Sequence, residues 1–225
     1  MKKLIIAIDG PSGVGKSTLS KRLAGELGYV NLDTGAMYRA VTLAARRRGI
    51  DPVDAPALVE LCRDIAISFD RQGPLERVLL DGEDVSEAIR TPENSQLTPL
   101  FAACPEVREA MVRRQRELGR EGGVVLEGRD IGTVVFPLAD VKFFLAATAD
   151  ERGRRRYLEL RDKGVDVDLA QTVVEVEARD DADSSRAASP LCQAEDARVI
   201  DTTKLSIDEV LAEMLETVKA VARGV

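Results

Sequence analysis

Leu4, Ile5, Ile6, Ala7 and Ile8 form a short run with no polar side chain, closed by Asp9 and Gly10. An apolar run of that length, bounded by a turn signal, predicts a strand buried on both faces. Beyond it the pattern changes to apolar residues at 19, 23, 24 and 27, which is helical spacing over 16–27. A short strand over 29–31 leads into Asp33, Thr34 and Gly35, and a helix then runs to about Arg48, before Gly49. Further strands are predicted at 123–126, 141–145 and 198–200, and helices near 105–119, 150–163, 168–182 and 206–222. Strands alternating with helices predict an α/β fold whose central parallel sheet, of about five strands, is flanked by helices in three layers.

The stretch 66–90 breaks that alternation. Residues 65–69 and 76–80 are strand-like, and Gln72-Gly73-Pro74 and Asp81-Gly82 are turn signals. We expect a small antiparallel insert carried on one main domain spanning 1–225. The pattern alone leaves its role open.

Between the first strand and first helix lies Gly10-Pro11-Ser12-Gly13-Val14-Gly15-Lys16-Ser17. Two glycines flanking four residues, followed by Lys and Ser, form a phosphate-binding loop when a strand precedes and a helix follows. Backbone N–H groups from Gly10 to Thr18 would surround a polyphosphate, with the Lys16 charge on its outer phosphates and the Ser17 hydroxyl on Mg²⁺. The chain is therefore expected to bind ATP or GTP in a P-loop fold.

Composition narrows the chemistry. No histidine occurs, which excludes any mechanism with a histidine base or metal ligand. Phosphoryl transfer survives that exclusion, because it relies on positioning and charge neutralisation. The net charge of −7 argues against a general nucleic-acid surface, so anionic ligands need local arginine clusters. Cys62, Cys104 and Cys192 are odd in number and widely spaced, and read as reduced, packed thiols rather than a metal site. The apolar run after Met1, Lys2 and Lys3 is too short for a signal peptide, and no later segment approaches a membrane span. A cytoplasmic location follows as an expectation.

Ligands of open α/β sheets bind at the carboxyl ends of the strands. Asp33, Thr34 and Arg39 follow the second strand, and Glu127, Arg129 and Asp130 follow the third. Asp33 could cap the next helix, orient Mg²⁺ through water, or accept from a substrate donor. Arg129 and Asp130 could form a surface pair, or Arg129 could hold a phosphate in two hydrogen bonds while Asp130 orients Mg²⁺ through water or accepts from a substrate donor. Arg152, Arg155 and Arg156 share one helix face, either solvated beside Glu151 and Glu159 or forming a lid over transferring phosphates. Arg179, Asp183 and Arg186 share another face, as a ladder or as a sugar and phosphate site. Arg108 lies on an amphipathic helix whose arginines mostly face solvent, and its spacing does not single it out.

Taken in order, the phosphate loop, Asp33-Thr34-Gly35-Ala36-Met37-Tyr38-Arg39, Val107-Arg108-Glu109-Ala110, Gly128-Arg129-Asp130-Ile131-Gly132-Thr133 and Arg179-Asp180-Asp181-Ala182-Asp183 resemble the bacterial cytidylate kinases. The resemblance runs from about residue 4 to the last helix, and implies transfer of the γ-phosphoryl of ATP to CMP or dCMP with Mg²⁺. It implies that Lys16, Arg129, Asp130 and Arg155 form the catalytic set. Arg39, Arg129 and Arg186 would hold the CMP phosphate. Arg108 and Asp130 would read the cytosine beside Thr34, and Arg179 and Asp183 would contact the sugar. Ser17 and Asp33 would serve the metal. Residues 66–104 would be the monophosphate-binding insert and 152–186 the lid, on a monomer. One position departs from the family pattern: Pro99 stands where a small hydroxyl residue is expected.

Rival readings are a P-loop kinase for UMP or shikimate, a nucleotide-dependent switch, and a scaffold without catalysis. A switch usually carries Asn-Lys-x-Asp for guanine, which is absent, and the Asp-x-x-Gly match at Asp70–Gly73 falls in the expected insert. The intact Lys16, Ser17 and arginine set argues against a scaffold.

Overall fold

The computed structural model describes residues 3–70, 76–162 and 164–224. Strand β1 (Ile5–Asp9) leads to helix α1 (Lys16–Leu27), strand β2 (Val30–Asp33), and helices α2 (Thr34–Arg47) and α3 (Ala55–Asp64). Strands β3 (Ile67–Asp70), β4 (Arg77–Leu80) and β5 (Glu83–Asp84) follow, then a 3₁₀ turn (Ala88–Arg90) and helices α4 (Pro92–Ala102) and α5 (Pro105–Gly119). The chain continues through β6 (Val124–Glu127), a π-helical turn (Ile131–Val135), β7 (Val141–Ala146), α6 (Ala149–Asp162), α7 (Leu169–Ser185), β8 (Arg198–Asp201) and α8 (Ile207–Arg223). These elements divide into two compact units, one ending at Asp33 and resuming at Leu118, the other spanning Thr34–Glu117.

The first unit is built on a parallel sheet of strand order β2-β6-β1-β7-β8. β1 is central, and Ile6, Ala7 and Ile8 are fully buried, as an apolar run between two helical layers must be. Ile6, Ile8 and Leu145 pack with Leu19 and Leu23 of α1 and with Met214 and Val218 of α8. Ser206 and Glu209 form a capping box that starts α8, and Val210, Met214 and Val218 recur every fourth residue on its buried face. The register sets Ile8 and Asp33 opposite Glu127, and Asp9 opposite Phe144. The carboxyl ends of β2, β6 and β1 thereby lie within a residue of one another, and β7 runs two residues further, to Ala146.

The second unit packs α2, α3, α4 and α5 around a separate core that includes Met37, Val41, Leu58, Leu61, Val78, Leu80, Phe101 and Met111. Its antiparallel sheet has the order β3-β4-β5, with Ile67 opposite Leu80.

The expected sheet, insert and flanking helices are all present. α3, α4 and the third insert strand were not expected. Both helices carry ordinary start signals. The Asp54 side chain accepts from the Ala57 N–H, the Thr91 side chain from the Asn94 N–H, and each helix has proline in its first turn. Pro99 lies inside α4. Glu127 belongs to β6 and Asp33 to β2, rather than to the loops after them. Cys62 and Cys104 are free and buried, whereas Cys192 is exposed, which corrects the expectation of three packed thiols. Residues 71–75, with the Gln72-Gly73-Pro74 turn and most of the Asp-x-x-Gly match, lie outside the described residues, as do Met1 and Lys2. Among the described residues no helix is long and apolar enough to cross a membrane.

Candidate active site

The phosphate loop leaves β1 through Gly10. A Cβ there would lie 2.2 Å from the Leu145 carbonyl oxygen, and its φ is +145°, so only glycine fits between β1 and β7. Gly15 caps α1 in a left-handed conformation. Lys16 is buried, and its ammonium donates to the carbonyl oxygens of Gly10 at 2.8 Å and Pro11 at 2.6 Å, closing the loop on itself. Burial holds the Lys16 pKa well below its usual value and the nearby Arg129 lowers it further, while Glu127 and Asp9 oppose both. Ser17 and Thr18 are exposed at the start of α1.

Helices α6 and α7 reach this loop. Arg152 is buried and pairs with Asp180, and donates to Ser12 O at 3.2 Å and to Ala147 O at 3.0 Å. The other carboxylate oxygen of Asp180 accepts from Ser12 N at 3.1 Å. Ser12 is thus gripped at both its N–H and its carbonyl. Arg155 pairs with Glu151 and donates to both oxygens of Thr202, whose hydroxyl in turn donates to Val14 O at 3.3 Å. The expected solvated basic face holds for Arg156, which pairs with Glu159. It does not hold for Arg152, whose burial carries it into the loop.

At the end of β6, Arg129 donates from Nε to Asp183 at 2.8 Å, and Arg186 donates to the second oxygen of Asp183 at 3.3 Å. Burial would raise the Asp183 pKa, but Arg129, Arg179 and Arg186 together hold it below its usual value. Asp130 is buried, so Arg129 and Asp130 are not a surface pair. Asp130 occupies the N-cap position of the π-helical turn but makes no side-chain cap hydrogen bond. The cap comes from Asp9, whose two carboxylate oxygens accept from Ile131 N at 2.9 Å and Gly132 N at 2.7 Å. Burial lifts the Asp9 carboxyl to about 6, although both N–H bonds pull it down. Asp9 was not among the residues singled out from the sequence. Its signal was a carboxylate ending an otherwise apolar strand.

In the second unit, Thr34 is buried at the start of α2 and Arg39 lies one turn further along the same helix. Asn94 donates to the Arg39 carbonyl at 3.0 Å. Arg108, which its helical spacing did not single out, is only 4% exposed. Its guanidinium stacks 5.3 Å from the Tyr38 ring centroid and donates to Ala102 O at 3.2 Å.

Asp33 and Glu127 are buried side by side at the ends of β2 and β6. Among the described residues no group of three or more His, Cys, Asp or Glu side chains is placed to hold a metal. Mg²⁺ in nucleotide sites usually keeps several waters and takes one or two carboxylates with the phosphates, and a hydroxyl with paired carboxylates has that chemistry.

A glycine loop closing on lysine at the central strand, with arginines gathered at the next strand end, defines a P-loop nucleotide-binding protein. A solved structure, that of an uncharacterized protein from Eubacterium ventriosum, shares the fold with a TM-score of 0.55 at 13% identity, covering 97% of this chain and 99% of that one. The family model "Cytidylate kinase" matches residues 6–220. A cytidylate kinase of Syntrophotalea carbinolica is 65% identical over 96% of this chain and 92% of its own length. One of Geobacter sulfurreducens is 56% identical over 96% and 93%. The chain belongs to the cytidylate kinase family and is an enzyme of that class.

Proposed function

We propose that this protein transfers the γ-phosphoryl group of ATP to CMP and dCMP, forming ADP with CDP or dCDP. Membership of the family supports the reaction, and one observation supports the base: Asp130 is a buried carboxylate beside Arg129 at the strand end next to the phosphate loop. A carboxylate accepts from the cytosine N4 amino group. Uracil would turn its O4 carbonyl toward the same carboxylate, leaving two acceptors opposed, and such mismatches reject an analogue by orders of magnitude.

Lys16 faces the outer phosphates of ATP once its ammonium leaves the loop carbonyls. Arg39, Arg129 and Arg186 hold the CMP phosphate, Arg108 and Thr34 accompany Asp130 at the base, and Arg179 and Asp183 meet the sugar. Arg155 acts on the transferring phosphates from a lid spanning 152–186, and 66–104 forms the monophosphate-binding insert of a single catalytic domain. The CMP phosphate is itself the nucleophile, so no strong base is needed. The residues above neutralise its repulsion from ATP in a water-excluded cleft. Ser17, with Asp33 through water, would hold Mg²⁺, which when bound neutralises charge between the outer phosphates. The enzyme works as a cytoplasmic monomer, and its three free thiols fit a reducing compartment.

The test is ADP release from MgATP with CMP, dCMP, UMP, AMP, GMP and shikimate as acceptors. Strong turnover with CMP and dCMP and little with UMP is expected. Comparable UMP turnover would show that Pro99, lacking a side-chain donor, has broadened the site, and turnover with none would overturn the reading.

A further inference from the structure

The N-terminal N–H groups of a helical turn need acceptors, and an Asp at the N-cap normally supplies one from its own side chain. In the turn after β6 that arrangement is broken. Asp130 holds the N-cap position without capping, and the acceptors come from Asp9, more than a hundred residues earlier in the chain. Asp9 is only 4% exposed, and its backbone is fixed by the pairing of β1 with β7. Its two oxygens take the two N–H groups immediately after Asp130. Gly132 completes the fit: a Cβ there would lie 3.3 Å from the Asp9 Oδ2 and 3.1 Å from the Lys142 Cδ. A methyl group would fit only if the Asp9 carboxylate and the Lys142 stem gave way by a few tenths of an ångström.

We propose that Asp9 is a positioning residue for acceptor recognition: by capping Ile131 and Gly132 it sets where Arg129 and Asp130 stand. The inference rests on the assignment of Asp130 to the cytosine. Asp9 is buried, and both of its carboxylate oxygens are taken by backbone N–H groups. It acts through the backbone of 131–132, while the phosphate loop that begins one residue later is held by its own glycines, Lys16 and the α6–α7 contacts. Loss of the cap should therefore fall on CMP rather than on ATP.

The experiment compares Asp9→Asn, Gly132→Ala and Asp130→Ala by steady-state kinetics on the full chain, with thermal melts confirming that each is folded. Asp9→Asn keeps the size of the side chain but turns an amide donor toward one N–H. Gly132→Ala keeps every charge and crowds the Asp9 carboxylate from the turn itself. Both are expected to raise the KM for CMP by about tenfold or more and to lower turnover with CMP relative to UMP, because small misplacements of positioned groups are costly. The KM for ATP should change by no more than about twofold in either. If Asp130→Ala loses base preference while Asp9→Asn and Gly132→Ala keep both the KM for CMP and the preference, the positioning role is wrong and the base assignment stands. Equal increases in the KM for ATP and CMP would make Asp9 a general structural residue and overturn the proposal. Base preference unchanged in Asp130→Ala would overturn the assignment of Asp130 and the role of Asp9 with it.

Discussion

The phosphate loop and the turn after β6 stand at adjacent strand ends but are held in different ways. The loop is largely backbone. Gly10 passes where any Cβ would strike Leu145, and the Lys16 ammonium seals the loop against its own carbonyls. The turn after β6 depends on side chains from elsewhere: Asp9 caps it, and Asp183, on a distant helix, gathers Arg129 and Arg186. A loop of the first kind can be moved between proteins as a motif. A turn of the second kind works only when two other elements are already in place, which suits it to set acceptor specificity within a shared scaffold.

The largest effect that would separate the two regions is Lys16→Ala. Turnover is expected to fall by about 10²–10³-fold, the range seen when one preorganised electrostatic contact is removed. The CMP to UMP preference should survive, measured as the ratio of kcat/KM values. Next is Asp180→Ala, which takes the acceptor from Ser12 and strands the buried Arg152 guanidinium. It should destabilise the fold by about 3 kcal/mol in urea titrations. It should also raise the KM for ATP more than that for CMP, the reverse of the expectation for Asp9→Asn.

A pH series gives a comparable effect. The Asp9 carboxyl is raised from 3.8 to about 6 by burial, with Asp130 pushing it further up and Lys16 pulling it down. A raised carboxyl pKa means that the folded state prefers the proton. Its contribution to stability is full below 3.8 and is lost as the pH rises through about 6, amounting to about 3 kcal/mol by linkage. Urea midpoints from pH 4 to pH 7 should therefore decline in the wild type relative to Asp9→Asn. If the two decline in parallel, the carboxyl is not buried as described. Asp183 has the opposite sign: its lowered pKa contributes stability above 3.8 that is lost in more acid solution. The smallest effect is Arg156→Ala, which removes a half-exposed pair with Glu159 and should cost less than about 1 kcal/mol and little activity.

Much of the first unit was legible in the chain because its signals are local. A run as short as Ile5 to Ile8, β-branched and closed by Asp9 and Gly10, signals a buried strand, and Gly10 to Ser17 carries its geometry in its own backbone. The helix starts at Asp54 and Thr91 are equally local signals, each a capping side chain with proline in the first turn. Arg108 is a different case. An arginine on a charged helix reads as solvent-facing until the Tyr38 ring and the Ala102 carbonyl are brought to it by packing. Arg152 likewise reads as one of a basic face until α6 meets Ser12.

By itself the sequence determined the parallel sheet, the phosphate loop, the absence of histidine chemistry and the family to which the chain belongs. The sheet and the loop follow from hydrophobic periodicity and from residues that act within a few positions of one another, the absence of histidine chemistry from composition, and the family from the resemblance of its ordered motifs. Only the tertiary structure decided which carboxylate caps the turn after β6, which arginines are buried, and that Asp183 binds two cations rather than standing apart. Those outcomes depend on groups separated by tens of residues or more meeting inside a low-dielectric interior, where the cost of an unpaired charge or N–H selects the partner.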